Sequence, residues 1–196
     1  SSINYPAEFT GKERGIKISG EVYMEVVKNK KKPFIVNVDG KSSIEVLGTS
    51  FNVNSYAEEE SIKATLVEGS IKVANVAAPQ SDRSPGEAPV LALRPDEKAG
   101  WPVILKPGQQ AVIDRESGGQ PLVRQAGIEQ TLAWKNGLFD LQDLSLQEVA
   151  RQLERWYDIE IIYEGTVQKT TFEGKLSRDV KLSAVLNWFS ELGIHN

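Results

Sequence analysis

The chain has 196 residues, 40% hydrophobic and 26% charged, which is the balance of a folded protein with one large or two modest domains. Its net charge of −4 offers no domain-wide basic surface for a nucleic-acid backbone, so no nucleic-acid partner is expected. The lack of cysteine removes thiolate metal sites and cysteine nucleophiles, and the only histidine, His195, makes a Ser-His-Asp triad implausible.

The first two thirds of the sequence read as short strands separated by turn signals. Apolar residues alternate or run together at residues 16–18, 21–27, 34–38, 44–47, 50–56, 61–67 and 71–73, and again at 103–105, 111–113 and 122–124. Asp39-Gly40, Gly69 and Pro107-Gly108 mark turns between them. The pattern predicts a mainly β fold: an all-β sandwich or roll, or a solenoid-like domain, over residues 1–126.

A proline-rich insertion at residues 78–102 interrupts these strands. Five prolines deny backbone donors to a central sheet, and the segment has little apolar area to offset the entropy of ordering. We therefore predict a protruding or poorly ordered loop.

The period changes to a helical one after about residue 126. We expect a short helical linker at residues 127–136 and a small α/β domain at residues 137–196. Ser145 and Glu148 have the spacing of a capping box, which predicts a helix that starts there. Strands are predicted at residues 159–163 and 172–176, and a second helix at residues 182–192. The domain reads as two βαβ repeats, the second truncated before its last strand.

Two acidic clusters are candidates for catalytic or metal-binding groups. Residues 58–60 are all glutamate, and Asp140 lies close to Asp143, but both clusters fall where loops are expected. A solvated charge run explains them better, although calcium binding by oxygen ligands stays open without an EF-hand spacing. We predict no catalytic residue, no cofactor and no metal, so the protein is not expected to be an enzyme.

Lysines at residues 28–32 form the strongest local charge feature. The segment lies between two predicted strands, which is typical of a soluble hairpin tip. The functional alternative is contact with an acidic partner or an anionic lipid surface, carried by Lys30, Lys31 and Lys32.

A second candidate surface is an open strand edge in the α/β domain. Without a closing strand, we expect Phe172, Glu173 and Lys175 to lie on an uncovered edge, with the apolar sides of Trp188 and Phe189 partly exposed. Such an edge suits a partner strand that adds to the sheet through main-chain hydrogen bonds.

Ordered sequence blocks then resemble one family. Residues 20–26 (GEVYMEV) are similar to the Gly-Glu-Ala-Tyr-Phe-Glu-Val signature of the FecR domain. The later blocks are similar too: 33–36 (PFIV), 44–53 (IEVLGTSFNV), 65–73 (TLVEGSIKV) and 105–111 (LKPGQQA). Residues 133–139 (AWKNGLF) resemble the join to the C-terminal domain of Bacteroidetes-type members, which is similar to the short N-terminal domain of secretins and TonB-dependent receptors.

The resemblance implies an anti-sigma factor of the inner membrane with one membrane-spanning helix. This chain would be its periplasmic part, and a cytoplasmic domain would hold an extracytoplasmic-function sigma factor. The N-terminal signalling domain of a TonB-dependent outer-membrane transporter would bind the periplasmic part, and proteolysis would free the sigma factor.

Two rival functions stay open at the level of sequence. A carbohydrate-binding or other ligand-binding β-domain of the bacterial envelope would need exposed aromatic platforms, whereas Tyr23, Phe34, Phe51 and Tyr56 fall within strand patterns. A cupin-type enzyme would need metal ligands that a single histidine does not supply.

Overall fold

The computed structural model describes residues 1–75, 102–116, 119–164, 170–192 and 194. It divides into two compact units, Ser1–Ile128 and Glu129–Asn196. Apart from Pro102, the predicted proline-rich loop at residues 78–102 lies outside the described residues.

The first unit is one ten-stranded sheet, as far as its described residues show. Its strands are β1 Ser2–Asn4, β2 Arg14–Val26, β3 Phe34–Val38, β4 Ser42–Val46, β5 Thr49–Ser55, β6 Ser61–Glu68, β7 Ile71–Asn75, β8 Val103–Leu105, β9 Gln109–Asp114 and β10 Leu122–Gln125. They lie in the order β10-β9-β6-β5-β2-β3-β4-β7-β8, with β1 also paired to β2. All pairs are antiparallel except β2 with β3, so the sheet is a nearly closed roll rather than a solenoid of parallel strands.

Strand β2 joins the two halves of this roll. Its first part pairs with β3, and from Gly20 onward it pairs with β5. Gly20 has φ +77°, and a Cβ at this position would lie 2.7 Å from the Cα of Ser1, so only glycine fits the switch.

The interior of the roll is filled from both halves of the sheet. Period-2 burial places Phe51 and Val53 inside on β5, and Ile62, Ala64 and Leu66 inside on β6. Each large side chain buried in this way contributes roughly 1.5–3 kcal/mol. The predicted alternation thus specifies the core, and the mainly β fold class is confirmed.

The second unit consists of short strands and helices. After the helix α1 Ile128–Leu132 and a 3₁₀ turn come β11 Leu138–Asp140, β12 Leu144–Ser145, α2 Leu146–Tyr157, β13 Thr171–Phe172, β14 Lys175–Ser177 and α3 Leu182–Glu191. Strand β11 pairs with β14, and β12 pairs with β13, all antiparallel. Backbone bonds from Leu141 to Gly174 and from Asp143 to Phe172 link the two pairs into one two-stranded ribbon.

The predicted capping box at the start of α2 is confirmed. The Ser145 amide donates to Glu148 Oε2 at 2.8 Å, and the Glu148 amide donates to Ser145 Oγ at 3.3 Å. Val149, Ala150 and Leu153 are buried on the inner face of α2, and Val185 and Phe189 on that of α3.

Two predicted strands are wrong in detail. Residues 159–163 form no strand, because the end of α2 takes up their amides: Ile159 donates to the Glu154 carbonyl and Ile161 donates to Glu154 Oε1. The predicted strand at residues 172–176 is interrupted at Gly174, whose φ of +98° breaks the regular pairing at the point between β13 and β14 without reversing the chain. Within the described residues, each repeat is therefore an interrupted strand followed by a helix rather than βαβ.

Candidate functional site

The ribbon of the second unit has an open side along β13 and β14. No other strand of the described residues pairs with β13 beyond β12, or with β14 beyond β11. In the antiparallel register, the backbone of Leu176 forms hydrogen bonds with that of Phe139 on β11. Because backbone groups alternate in direction along a strand, the amides of Lys175 and Ser177 point away from β11. By the same alternation, the amide of Thr171 points away from β12. This open side is the place where a partner strand could pair.

The aromatic residues proposed for this surface are more buried than predicted. Phe172 is 3% exposed and Phe189 is 7% exposed, so the expectation that they lie partly uncovered is wrong. Trp188 covers them: its ring centroid lies 5.6 Å from that of Phe172 and 5.2 Å from that of Phe189. Trp188 itself is half-buried, so of these three aromatic residues it has the most surface available for contact with a partner.

Glu173 and Lys175 are exposed beside the open side. Glu173 lies in the two-residue interruption between β13 and β14, outside both strands. The Lys175 ammonium lies 3.6 Å from Asp140 Oδ2 and 3.4 Å from Glu129 Oε2. The Asp140 side chain is only 5% exposed, so Lys175 offsets a carboxylate that is otherwise costly to bury.

An arginine that sequence reasoning missed holds the ribbon to α2. Arg178 Nε donates to the Leu138 carbonyl at 3.1 Å, and the guanidinium lies over the rings of Phe139 and Trp156, at 4.5 and 4.8 Å from their centroids. Trp156 Nε1 donates back to the Arg178 carbonyl at 2.9 Å. Nothing in the local sequence pattern marks this arginine, because its partners lie 22 to 40 residues away along the chain.

The turn before α3 is held at a second point by Tyr157. Its hydroxyl donates to the Val180 carbonyl at 2.6 Å, and burial raises the pKa of this phenol. A neutral hydroxyl that donates to a carbonyl suits that environment, since ionisation would remove the donor.

The lysine segment of the first unit forms the loop between β2 and β3. Lys30 and Lys31 are exposed, whereas Lys32 is half-buried and its ammonium donates to the Phe9 carbonyl. The structure thus leaves two of the three candidate lysines free to meet a partner and uses the third internally.

Among the described residues, the sheet of the first unit ends at β8 on one side and at β10 on the other. Each edge carries one exposed aliphatic residue, Ile104 at 68% and Leu122 at 66%. Sequence patterns do not reveal such edges, because the order of strands in a sheet is a property of the whole fold.

Among the described residues, no group of three or more His, Asp or Glu side chains is placed to hold a metal ion. No described helix has the length and apolar character needed to cross a membrane.

Comparison with known proteins agrees with this architecture. The family model described as FecR protein matches residues 1–72, and the model described as FecR, C-terminal matches residues 138–195. Two crystal structures of a proposed anti-sigma factor from Parabacteroides distasonis are similar, each at 26% sequence identity. The alignment with the 1.65 Å structure has a TM-score of 0.73 and covers 97% of this chain and 78% of the other chain. The alignment with the 2.50 Å structure has a TM-score of 0.71 and covers 96% of this chain and 76% of the other chain.

A search of curated protein sequences gives no match. The two family models lie in the expected order, one on each unit, and together they match about two thirds of the chain. The family is regulatory and acts in sensing and sigma-factor control. The chain belongs to the FecR family of anti-sigma factors.

Proposed function

We propose that this chain is the periplasmic sensor and relay region of a membrane-anchored anti-sigma factor. It binds the N-terminal signalling domain of a TonB-dependent outer-membrane transporter, and this binding controls the release of an extracytoplasmic-function sigma factor. The observation that carries the proposal is the match of both FecR family models, supported by an open strand edge suited to a protein partner.

The partner's strand pairs with the open side of the ribbon, at β13 and β14. The amides of Thr171 and Lys175 supply the main-chain hydrogen bonds, and Trp188 supplies apolar contact area beside them. Glu173 and Lys175 flank this edge and contribute less to affinity, because exposed ion pairs are worth at most about 1 kcal/mol. Phe172 and Phe189 act indirectly, by supporting Trp188 from the core.

Proline substitution at Lys175 tests the edge. Lys175→Pro removes the outward amide and leaves the inward ladder bonds of β14 in place. Lys175→Ala is the matched control, because both variants lose the ammonium near Asp140, whereas only proline removes the backbone donor and fixes φ. We expect the proline variant to bind the purified signalling domain at least tenfold more weakly than the alanine variant, in calorimetry.

A second pair, Thr171→Pro and Thr171→Ala, probes β13 in the same way. Far-UV circular dichroism and a melting curve establish that each variant is folded. If both folded proline variants bind as tightly as their alanine controls, recognition does not use this edge. The loop with Lys30 and Lys31 and the edges of the first unit then become the next surfaces to test.

The ligand-binding alternative has less support from the first unit. Phe51 is fully buried, and Tyr23, Phe34 and Tyr56 are only half-exposed, so none of these four offers a flat open platform for a sugar ring. The relay function predicts no glycan binding by the isolated chain. A positive signal on a glycan array, reproduced by calorimetry, would favour the alternative.

A further inference from the structure

The β2–β3 loop carries a concentrated basic charge on a chain that is acidic overall. Lys28, Lys30 and Lys31 are exposed, and no described residue accepts a hydrogen bond from their ammonium groups. The net charge of the chain is −4, so the positive charge of this loop is opposite in sign to that of the protein as a whole.

Contacts from outside the loop fix its shape. Arg14 Nε donates to the Lys32 carbonyl at 3.1 Å, and both terminal nitrogens of Arg14 lie 3.3 Å from the Val27 carbonyl, so one guanidinium closes the loop at its two ends. The side-chain oxygen of Asn29 accepts hydrogen bonds from the backbone amides of Lys31 and Lys32. The lysines therefore project from a preorganised base, which lowers the entropic cost of binding.

Two aliphatic side chains lie on the same end of the roll and face solvent. Val27 is 80% exposed and Leu47 is 42% exposed. The Asn29 amide donates to the Leu47 carbonyl at 2.7 Å, which places the two segments side by side. We call Val27, Lys28, Lys30, Lys31 and Leu47 the basic tip. It combines cationic heads with apolar side chains that are exposed to solvent.

We propose that the basic tip binds the surface of an anionic phospholipid bilayer. Lysine ammonium groups are compact point charges that suit a fluid array of lipid phosphates, whereas planar pairing with carboxylates of an acidic peptide favours arginine. The only arginine at this loop, Arg14, is engaged within it. Val27 protrudes, so it can enter the interface between head groups and acyl chains, which a hydrated acidic peptide would not offer.

Three carboxylates lie near the tip, against five cationic groups when Arg14 and Lys32 are counted with its three lysines, so the local charge is +2. Glu13 precedes Arg14 in the chain, Glu25 lies on β2, and Glu68 ends the strand next to β5, all three exposed. The inference does not depend on the transporter partner, because it concerns the other unit and a different ligand.

Vesicle binding by the 196-residue chain tests the inference. The probes are vesicles of phosphatidylcholine alone and vesicles with 30% phosphatidylglycerol, at low salt, with bound protein measured by co-sedimentation. The variant Lys28→Gln/Lys30→Gln/Lys31→Gln removes the charge of the tip. Its matched control is Lys17→Gln/Lys41→Gln/Lys106→Gln, which makes the same change in net charge at exposed lysines elsewhere on the first unit.

We expect the parent chain to bind the anionic vesicles and not the neutral ones. The tip variant should lose at least tenfold in partition coefficient while the control stays within twofold, with unchanged melting curves for both. Val27→Ser with Leu47→Ser should lose at least threefold. The inference is overturned if the parent chain does not bind, or if the control loses as much as the tip variant. It is also overturned if the tip variant loses binding to polyglutamate but keeps its binding to vesicles, since that result assigns the tip to an acidic protein.

Discussion

Replacing Arg178 by alanine should lower the stability of the second unit by about 2.5–3.5 kcal/mol. The charged side chain donates a hydrogen bond to the Leu138 carbonyl and lies over two aromatic rings. A hydrogen bond to a charged group contributes about 1.5–3 kcal/mol, and each cation–π contact about 0.5–1 kcal/mol near the surface. Because Arg178 is half-buried, the lower part of the summed range applies.

The loss is confined to the side chain. The Arg178 amide still donates to the Gly137 carbonyl, and its carbonyl still accepts the indole N–H of Trp156, in any variant at this position. A double-mutant cycle with Trp156→Leu should give a coupling energy of about 0.5–1 kcal/mol, which is the share of the ring contact.

Urea unfolding followed by tryptophan fluorescence measures this effect. Trp134, Trp156 and Trp188 all belong to the second unit, so the signal mainly reports its unfolding. Arg178→Lys should fall between alanine and the parent, since an ammonium keeps the charge but not the planar stack. A cost below about 0.5 kcal/mol for Arg178→Ala, together with no coupling to Trp156, would refute this reasoning.

Three further predictions concern stability. Arg115→Met should lower the stability of the first unit by about 2–4 kcal/mol, because Arg115 Nη2 donates to Asp39 and to the carbonyls of Ser55 and Tyr56. Asp39→Asn removes only the ion pair and should cost about 1 kcal/mol. Urea unfolding followed by circular dichroism measures both. Ser145→Ala should lower the free energy of unfolding by about 1 kcal/mol, measured by the same method, because it removes the N-cap of α2. An unchanged stability would refute the role of this cap. Burial raises the pKa of Tyr157 in the folded state. The contribution of this neutral phenol to stability is therefore complete below about pH 10 and is lost as the pH rises through the folded pKa. Tyr157→Phe should reduce this alkaline loss of stability, measured as melting temperature against pH.

Local signals in the sequence predicted most elements correctly. The Ser145 and Glu148 spacing fixed the start of α2, and period-2 alternation identified the core strands, because both patterns act over a few residues. The strand expected at residues 159–163 failed for a different reason. Its apolar residues suit a strand, but a strand also needs a partner, and the side chain of Glu154 takes one of its amides instead.

The candidate site was only partly predictable for the same physical reason. Phe172 and Phe189 were expected at a bare edge, yet Trp188 packs over both, a contact that helix periodicity does not specify. Arg115 and Arg178 contact groups 22 to 76 residues away, and no local pattern encodes such distances. The loop lysines were identified correctly as a charge feature, but the internal bond of Lys32 could not be read from a run of like residues.

Ionic strength separates the two proposed contacts, because they rest on different forces. Pairing at the Thr171 and Lys175 amides uses neutral main-chain hydrogen bonds, so affinity for the signalling domain should change little between 0.05 and 0.3 M salt. The basic tip relies on exposed lysines, and charges in water more than about 10 Å apart are screened at about 0.1 M salt. Vesicle binding should therefore fall at least fivefold over the same range. Titrations of the parent chain against both ligands at several salt concentrations measure this difference. A steep salt dependence for the signalling domain would show that charge, and not strand pairing, governs its recognition.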